Sequence, residues 1–263
     1  MIKVLVNGAS GRMGSEVVRS IEKEEGLILC GAVDPKYMGQ DIGDVVGIGH
    51  KGIQIYGSLD EAFISGKPDV VVDFTSPEVV YSNAQTVLAA GINMVIGTTG
   101  LKMEERKSLS AVCNKNGSHC LIAPNFSLGA VLMMKVSEEI AKYFPNAEII
   151  ELHHNHKFDA PSGTAKLTAE KMAVARTLHP DEDETKESLP GVRGGKYEDI
   201  PIHSVRLPGY VAHQEVLFGG DGEILTIRHD SLDRKSFMPG VMLACHKVMK
   251  IPGLVYGLEN YLK

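Results

Sequence analysis

The stretch ELHHNHKFDAPSGTA at residues 151–165 gathers His153, His154, His156 and Lys157 directly ahead of a turn into a helix. Imidazoles exchange protons near neutral pH, and an ammonium group beside them supplies positive charge and a donor. The grouping therefore suits acid–base chemistry on an anionic ligand. On a strand that runs through the histidines, side chains alternate faces, so His154 and His156 share one side while His153 and Asn155 take the other. Ser162, Gly163 and Thr164 form a small-residue helix entrance, where N–H groups left unpaired at a helix start favour a carboxylate. Two plainer readings compete: zinc ligation, and a polar strand end without chemistry. The HxH pair offers two ligands, but no third ligand stands at a familiar spacing and HExxH is absent, so no metal is expected. A purely structural strand end leaves three histidines beside a lysine without a reason.

A second constellation lies at the N-terminus. In NGASGRMG, Gly8, Gly11 and Gly14 follow an apolar run and open a helical one, giving GxxGxxG in place of the commoner GxGxxG. Glycine permits the tight turn and the close approach of backbone to a pyrophosphate, and the helix start favours the phosphates. Asp34 ends the next apolar run, where an acidic side chain accepts hydrogen bonds from a ribose 2′-hydroxyl. A nicotinamide dinucleotide is the ligand this spacing fits. The competing reading is a plain glycine turn with a solvated aspartate. GTTG at 97–100 and APNF at 123–126 also follow apolar runs, which puts them on the edge of the sheet where open α/β folds bind ligands.

The elements that must hold these residues are legible as alternating strands and helices. Strands are expected at 2–7, 27–33, 70–75 (stopped by Ser76 and Pro77), 93–99 and 119–125, with helices at 13–24, after Pro77 through Ala90, and at about 102–116. Short β-branched runs without alternation read as strands buried on both faces, the pattern of a parallel sheet covered by helices. After Asn125 the texture changes. A helix is expected over 128–143, then a strand through AEIIELHHNH, a helix over 164–178 capped by Ser162 or Asp159, and a long exposed loop over 179–199. HSVRLP, AHQEVLFG and EILTIRHD, joined by glycine-bearing turns, read as antiparallel strands, and 237–250 as an apolar helix. The fold class expected is α/β: an N-terminal Rossmann-like parallel sheet over 1–126 and 237–263, with a second mixed α+β domain over 127–236 for substrate binding and oligomerisation.

A formal net charge of -6 gives no basic excess to draw nucleic acid or anionic lipid, and neither partner is expected. No apolar run approaches the roughly 20 residues of a membrane span. MIKVLVNGAS lacks the long apolar region of a signal peptide, and Cys30, Cys113, Cys120 and Cys245 form no CxxC pair. Both features suit a cytoplasmic protein with reduced thiols.

GASGRMG at 8–14, DFTSPE at 73–78, GTTG at 97–100, APNFS at 123–127 and ELHHNHKFDAPSGTA at 151–165 together resemble the dihydrodipicolinate reductase family, in order and spacing, along nearly the whole chain. The resemblance implies reduction of 4-hydroxy-tetrahydrodipicolinate, a small dicarboxylate, to tetrahydrodipicolinate with loss of water, using NADH or NADPH, in lysine biosynthesis by the diaminopimelate route. It implies a homotetramer. It also implies that Gly8, Ala9, Ser10, Gly11, Arg12, Met13, Asp34, Gly97, Thr98, Thr99, Ala123, Pro124, Asn125 and Phe126 contact the dinucleotide. His153 and Lys157 would be the proton-transferring pair, and His154, Gly163 and Thr164 would hold the substrate carboxylates. In NADPH-using relatives a basic residue often follows the acidic one, whereas Pro35 follows Asp34 here, so NADH or dual use is favoured, with Lys36 and Arg12 as the available cations. A related two-domain amino-acid dehydrogenase would share the dinucleotide half without HHNHK and APSGTA. A non-catalytic dinucleotide sensor would have no use for the histidine cluster.

Overall fold

The computed structural model describes residues 1–262. The chain divides into two compact units, one of Met1–Phe126 with the segment from Phe237 onward, the other of Ser127–Ser236. In chain order the first unit begins with β1 (Ile2–Asn7), α1 (Arg12–Ile21), β2 (Leu27–Val33), α2 (Ile42–Val46), β3 (Ile55–Tyr56) and α3 (Leu59–Ser65). It continues with β4 (Val70–Asp73), α4 (Val80–Ala89), β5 (Asn93–Ile96), α5 (Met103–Asn116) and β6 (Cys120–Ile122). The second unit contains α6 (Leu128–Ile140), β7 (Asn146–His153), α7 (Gly163–Ala175), β8 (Gly195–Tyr197), β9 (Ile200–Arg206), β10 (Ala212–Gly220) and β11 (Glu223–Ser231). The chain then returns to the first unit as α8 (Met238–Val248) and β12 (Leu254–Tyr256).

The first unit is a seven-stranded sheet of order β12-β6-β5-β4-β1-β2-β3, every pair parallel. Val4, Val6, Val70, Val71, Val72, Val95 and Ile96 are fully buried, as β-branched strands covered by helices on both faces require. The strand order reverses between β1 and β4, and open α/β sheets bind ligands beyond the C-terminal ends of their strands at such a point. The α/β reading of this half holds. The strands end earlier than the apolar runs suggest, at Asp73, Ile96 and Ile122, because Phe74, Gly97 and Ala123 already turn into the loops. Four elements of this unit lie outside the expected set: α2, the two-residue β3, α3 and the late-returning β12.

The second unit carries a five-stranded sheet of order β11-β10-β7-β9-β8. Ile149, Val216, Phe218 and Ile202 on one face pack with Met133 of α6 and with Ala165, Ala169 and Met172 of α7. The expectation of three consecutive antiparallel strands is corrected here. β10 and β11 form an antiparallel hairpin, but β9 pairs parallel with β7, which lies between β9 and β10. The loop expected over 179–199 contains β8, antiparallel to β9. Local alternation reveals a strand but not its neighbour, because the choice of partner is made by the core on the helix side of the sheet.

Candidate active site

In the first unit the chain leaves β1 through Gly8, whose φ of +78° only glycine adopts readily. Space demands glycine as well: a Cβ there would lie 2.4 Å from the Phe74 carbonyl oxygen, and one on Gly97 would lie 2.0 Å from the Phe74 ring. Phe74 also packs on Phe126, with ring centroids 5.8 Å apart, so the loops after β5 and β6 meet its ring while the loop after β1 lies against its backbone carbonyl. Gly8 and Ala9 donate their N–H groups to Val33 O at 2.9 and 3.2 Å, which ties the loop to the end of β2. Gly11 is the N-cap of α1 and provides no capping side chain. The first-turn N–H groups of Arg12, Met13 and Gly14, which lack intrahelical partners, thus open at the sheet's C-terminal edge. An uncapped helix start behind a glycine turn fits the phosphates of a dinucleotide.

Asp34 stands at the end of β2 and accepts from Ser10 N at 3.1 Å, Ser10 Oγ at 2.5 Å and Lys36 N at 3.0 Å. Three donors leave about one of a carboxylate's roughly four acceptor sites for a ribose hydroxyl. Lys36 lies over the Tyr37 ring, and Arg12 is exposed. Thr99 and Pro124 are exposed, whereas Ala123 is buried. Thr98 differs from expectation in one respect: its hydroxyl does not face the edge but donates to Asp73 Oδ1 at 2.7 Å and accepts Thr75 N at 2.8 Å. Asp73 is fully buried and takes further hydrogen bonds from Asn7, Asn83 and Thr75. It fixes the loops after β4 and β5 to each other, a role the sequence reading did not assign.

In the second unit β7 ends at His153, and residues 154–157 form a turn. The face assignment for His154, His156 and Asn155 therefore lapses, since alternation stops with the strand. His154 and His156 are exposed with rings 6.3 Å apart, and His154 Nδ1 accepts from His156 N at 3.2 Å. The His153 ring is 13% exposed, with Nδ1 2.5 Å from Glu151 Oε2. Glu151 is fully buried and also takes two bonds from Arg206 and one from Ser162 N. Burial alone would push its carboxyl up, but hydrogen bonds from His153, Arg206 and Ser204 outweigh that and hold it at about 2.

Ser162 caps α7, its Oγ accepting from Ala165 N at 3.1 Å. Lys157 Nζ lies 2.7 Å from Asp159 Oδ1. The Asp159 carboxyl is held below the usual range by that bond, against slight burial, with the Gly163 N–H as a further donor. The expectation of unpaired N–H groups at the helix entrance is thus corrected. Ser162 donates to Glu151 and Ala165 to Ser162 Oγ. Lys157 is already held by a carboxylate of the chain itself. Glu151, Arg206 and Asp159 were missed as site residues. A carboxylate two positions before His153 on a strand shares its face, so Glu151 was findable by period two. Arg206 was not, because its neighbour depends on the parallel β7–β9 pairing.

Among the described residues the group of His, Cys, Asp and Glu side chains close enough to share an ion is Asp41, Asp44 and His50, remote in sequence from the histidine cluster. Asp41 there is occupied by the N–H groups of Gly43, Lys51 and Ile53.

Comparison with known proteins places both units. A family profile described as dihydrodipicolinate reductase, N-terminus, matches residues 2–126, and one described as dihydrodipicolinate reductase, C-terminus, matches residues 129–262. A Listeria welshimeri protein named 4-hydroxy-tetrahydrodipicolinate reductase is 51% identical, with 99% of this chain and 100% of that one aligned. A Moorella thermoacetica protein of the same name is 49% identical over 100% of this chain and 98% of that one. The solved structure of a dipicolinate-bound dihydrodipicolinate reductase from Paenisporosarcina sp. TG-14 superposes with a TM-score of 0.88 at 43% identity, covering 99% of each chain. An amine dehydrogenase from Mycobacterium smegmatis, 14% identical with a TM-score of 0.70, shares the fold.

Proposed function

Since the chain belongs to the dihydrodipicolinate reductase family and accordingly reduces 4-hydroxy-tetrahydrodipicolinate with a nicotinamide dinucleotide in lysine biosynthesis, we propose how its residues divide that work. Gly8 to Met13, Asp34, Gly97 to Thr99 and Ala123 to Phe126 hold the dinucleotide, whose phosphates take the first turn of α1. When bound, the reduced nicotinamide supplies a hydride to the unsaturated ring. That delivery leaves negative charge on the ring, which an acid beside it stabilises and then neutralises. His153 and Lys157 are the two candidates for the acid. His154, Gly163 and Thr164 hold the substrate carboxylates. The observation that supports this reading is the Lys157–Asp159 pair just ahead of α7: a cation there already holds one carboxylate, at 2.7 Å. A substrate carboxylate that takes this place replaces Asp159 in kind.

NADH or dual use is the preference we infer. Asp34 presents a carboxylate where a 2′-phosphate would sit, and Pro35 supplies no compensating charge. The second unit is the assembly domain of a homotetramer in this reading, and the four free cysteines, three of them buried, suit the cytoplasm. The test is an assay on 4-hydroxy-tetrahydrodipicolinate following loss of reduced-nicotinamide absorbance, with NADH and NADPH in parallel. His153→Ala and Lys157→Ala are each expected to lower kcat by about 10²- to 10⁴-fold with nucleotide affinity nearly unchanged. Unaltered turnover removes the assigned roles, and an NADPH preference above about tenfold in kcat/KM removes the cofactor reading.

A further inference from the structure

The His153 imidazole is held from its own strand. β7 places Glu151 and His153 on one face, β9 places Ser204 opposite Glu151 and Arg206 opposite His153, and β10 places Gln214 and Ala212 on the other side. Glu151 Oε2 takes His153 Nδ1 at 2.5 Å and one Arg206 nitrogen at 2.9 Å. Oε1 takes the other Arg206 nitrogen at 2.6 Å and Ser162 N at 3.2 Å. Arg206 also donates to the Asp159 and Val205 carbonyls. A fully buried carboxylate is costly unless paired and hydrogen-bonded, and here every oxygen has at least two donors. The arrangement is more than filler for a polar core, because it joins three separate elements at the proton-transfer group: the end of β7, the end of β9 and the cap of α7.

We propose that Glu151 is a positioning residue that fixes His153 as the Nδ1–H tautomer, with Nε2 left to exchange the proton, and that it ties this imidazole to the carboxylate-receiving start of α7. The proposal rests on the reading of His153 as a proton carrier. An ionised carboxylate only accepts, so the nitrogen facing it must donate. That leaves Nε2 as the nitrogen with a lone pair, and among the described residues Nε2 has no hydrogen-bond partner. The charged groups facing the ring are Glu151 on its own strand and Arg206 on β9. β10 presents the neutral Ala212 and Gln214, and α7 presents Ser162 and backbone. Arg206 therefore balances the charge of Glu151 and leaves its geometry intact. The carboxylate still supports the imidazolium that forms when the ring takes a proton, as an orienting carboxylate does behind a catalytic histidine. Through Ser162 N the same carboxylate sets where α7 begins, so a displaced His153 and a displaced Gly163 go together.

The decisive variant is Glu151→Gln, whose amide can donate to Nδ1 and thereby select the opposite tautomer. Its kcat is expected to fall by about 10²- to 10⁴-fold, with KM for the dicarboxylate changing much less. The kcat–pH profile of this variant is expected to shift to lower pH relative to the wild type, since the carboxylate charge behind the imidazole is gone. A merely structural role would lower the amount of folded protein without moving that profile. If Glu151→Gln does not fold, the charge-balanced Glu151→Gln/Arg206→Met pair takes its place. Nitrogen-15 NMR of the histidine-labelled wild-type enzyme needs no variant: the neutral form of His153 is expected to carry its proton on Nδ1 and leave Nε2 bare. A bare Nδ1 in the wild type, or an unshifted kcat profile in folded Glu151→Gln, overturns the proposal. The parallel His153→Ala assay separates the two failures. If that variant turns over normally, the proton-carrier reading has failed. If it is impaired while Glu151→Gln is not, only the positioning role has failed.

Discussion

Glu151 gives the fold a measurable response to acid. Its carboxyl titrates at about 2 in the folded chain against an ordinary 4.5, so the folded state is the weaker binder of this proton. Stability from a depressed carboxyl is fully present above the unfolded value and is lost as pH falls from there through the folded one. Asp159 and Glu148 are depressed in the same direction, by Lys157 in one case and by Arg193 and His203 outweighing burial in the other. The melting temperature is therefore expected to drop between roughly pH 4.5 and 2, and the drop should be shallower in Glu151→Gln. Equal slopes in both proteins would mean that other carboxyls dominate acid unfolding. The sequence made the histidines and lysine conspicuous at this scale because their chemistry is written in residue type. It left Arg206 and Asp73 inconspicuous, because a buried charge is recognised by its partners, and those lie up to 66 positions away.

Among the elements, the turn from β1 into α1 was the most legible, since GxxGxxG after an apolar run states both the backbone conformation and the ligand. The structure adds Phe74, which occupies the space a side chain at Gly8 or Gly97 would need. Gly8→Ala must strain a positive φ and push against the Phe74 carbonyl, so it is expected to weaken dinucleotide binding at least about tenfold in a fluorescence titration. Substrate-half variants such as Lys157→Ala should leave that affinity nearly unchanged. Unweakened binding by Gly8→Ala would show that the loop after β1 does not carry the phosphates. The β7–β9 pairing was the least legible element, for a physical reason. Strand alternation fixes which face a side chain takes, while the order of strands is set by the helices that must be covered, here α6 and α7 over Ile149, Val216 and Phe218.

At the scale of the whole chain, the second unit has one sheet face under α6 and α7, and its opposite face carries Ile150, Leu152, Leu217 and Ile224. Ile224, 77% exposed, extends this apolar face at the end of the hairpin. The homotetramer we propose covers this face. Sedimentation equilibrium is expected to give four chains for the wild type and fewer for Ile224→Arg, whose exposed site spares the fold. A monomeric wild type would refute the assembly. One feature of the first unit also bears on how the protein is made. β12 pairs with β6 at the edge of the sheet, yet Leu254 leaves the ribosome about 130 residues after Ile122, roughly ten seconds or more at ordinary rates of synthesis. Throughout that interval the nascent chain holds the β6 edge without its final strand, and an unpaired edge is where a neighbouring chain can add itself. Chaperone protection should therefore matter most while residues 127–236 are being translated.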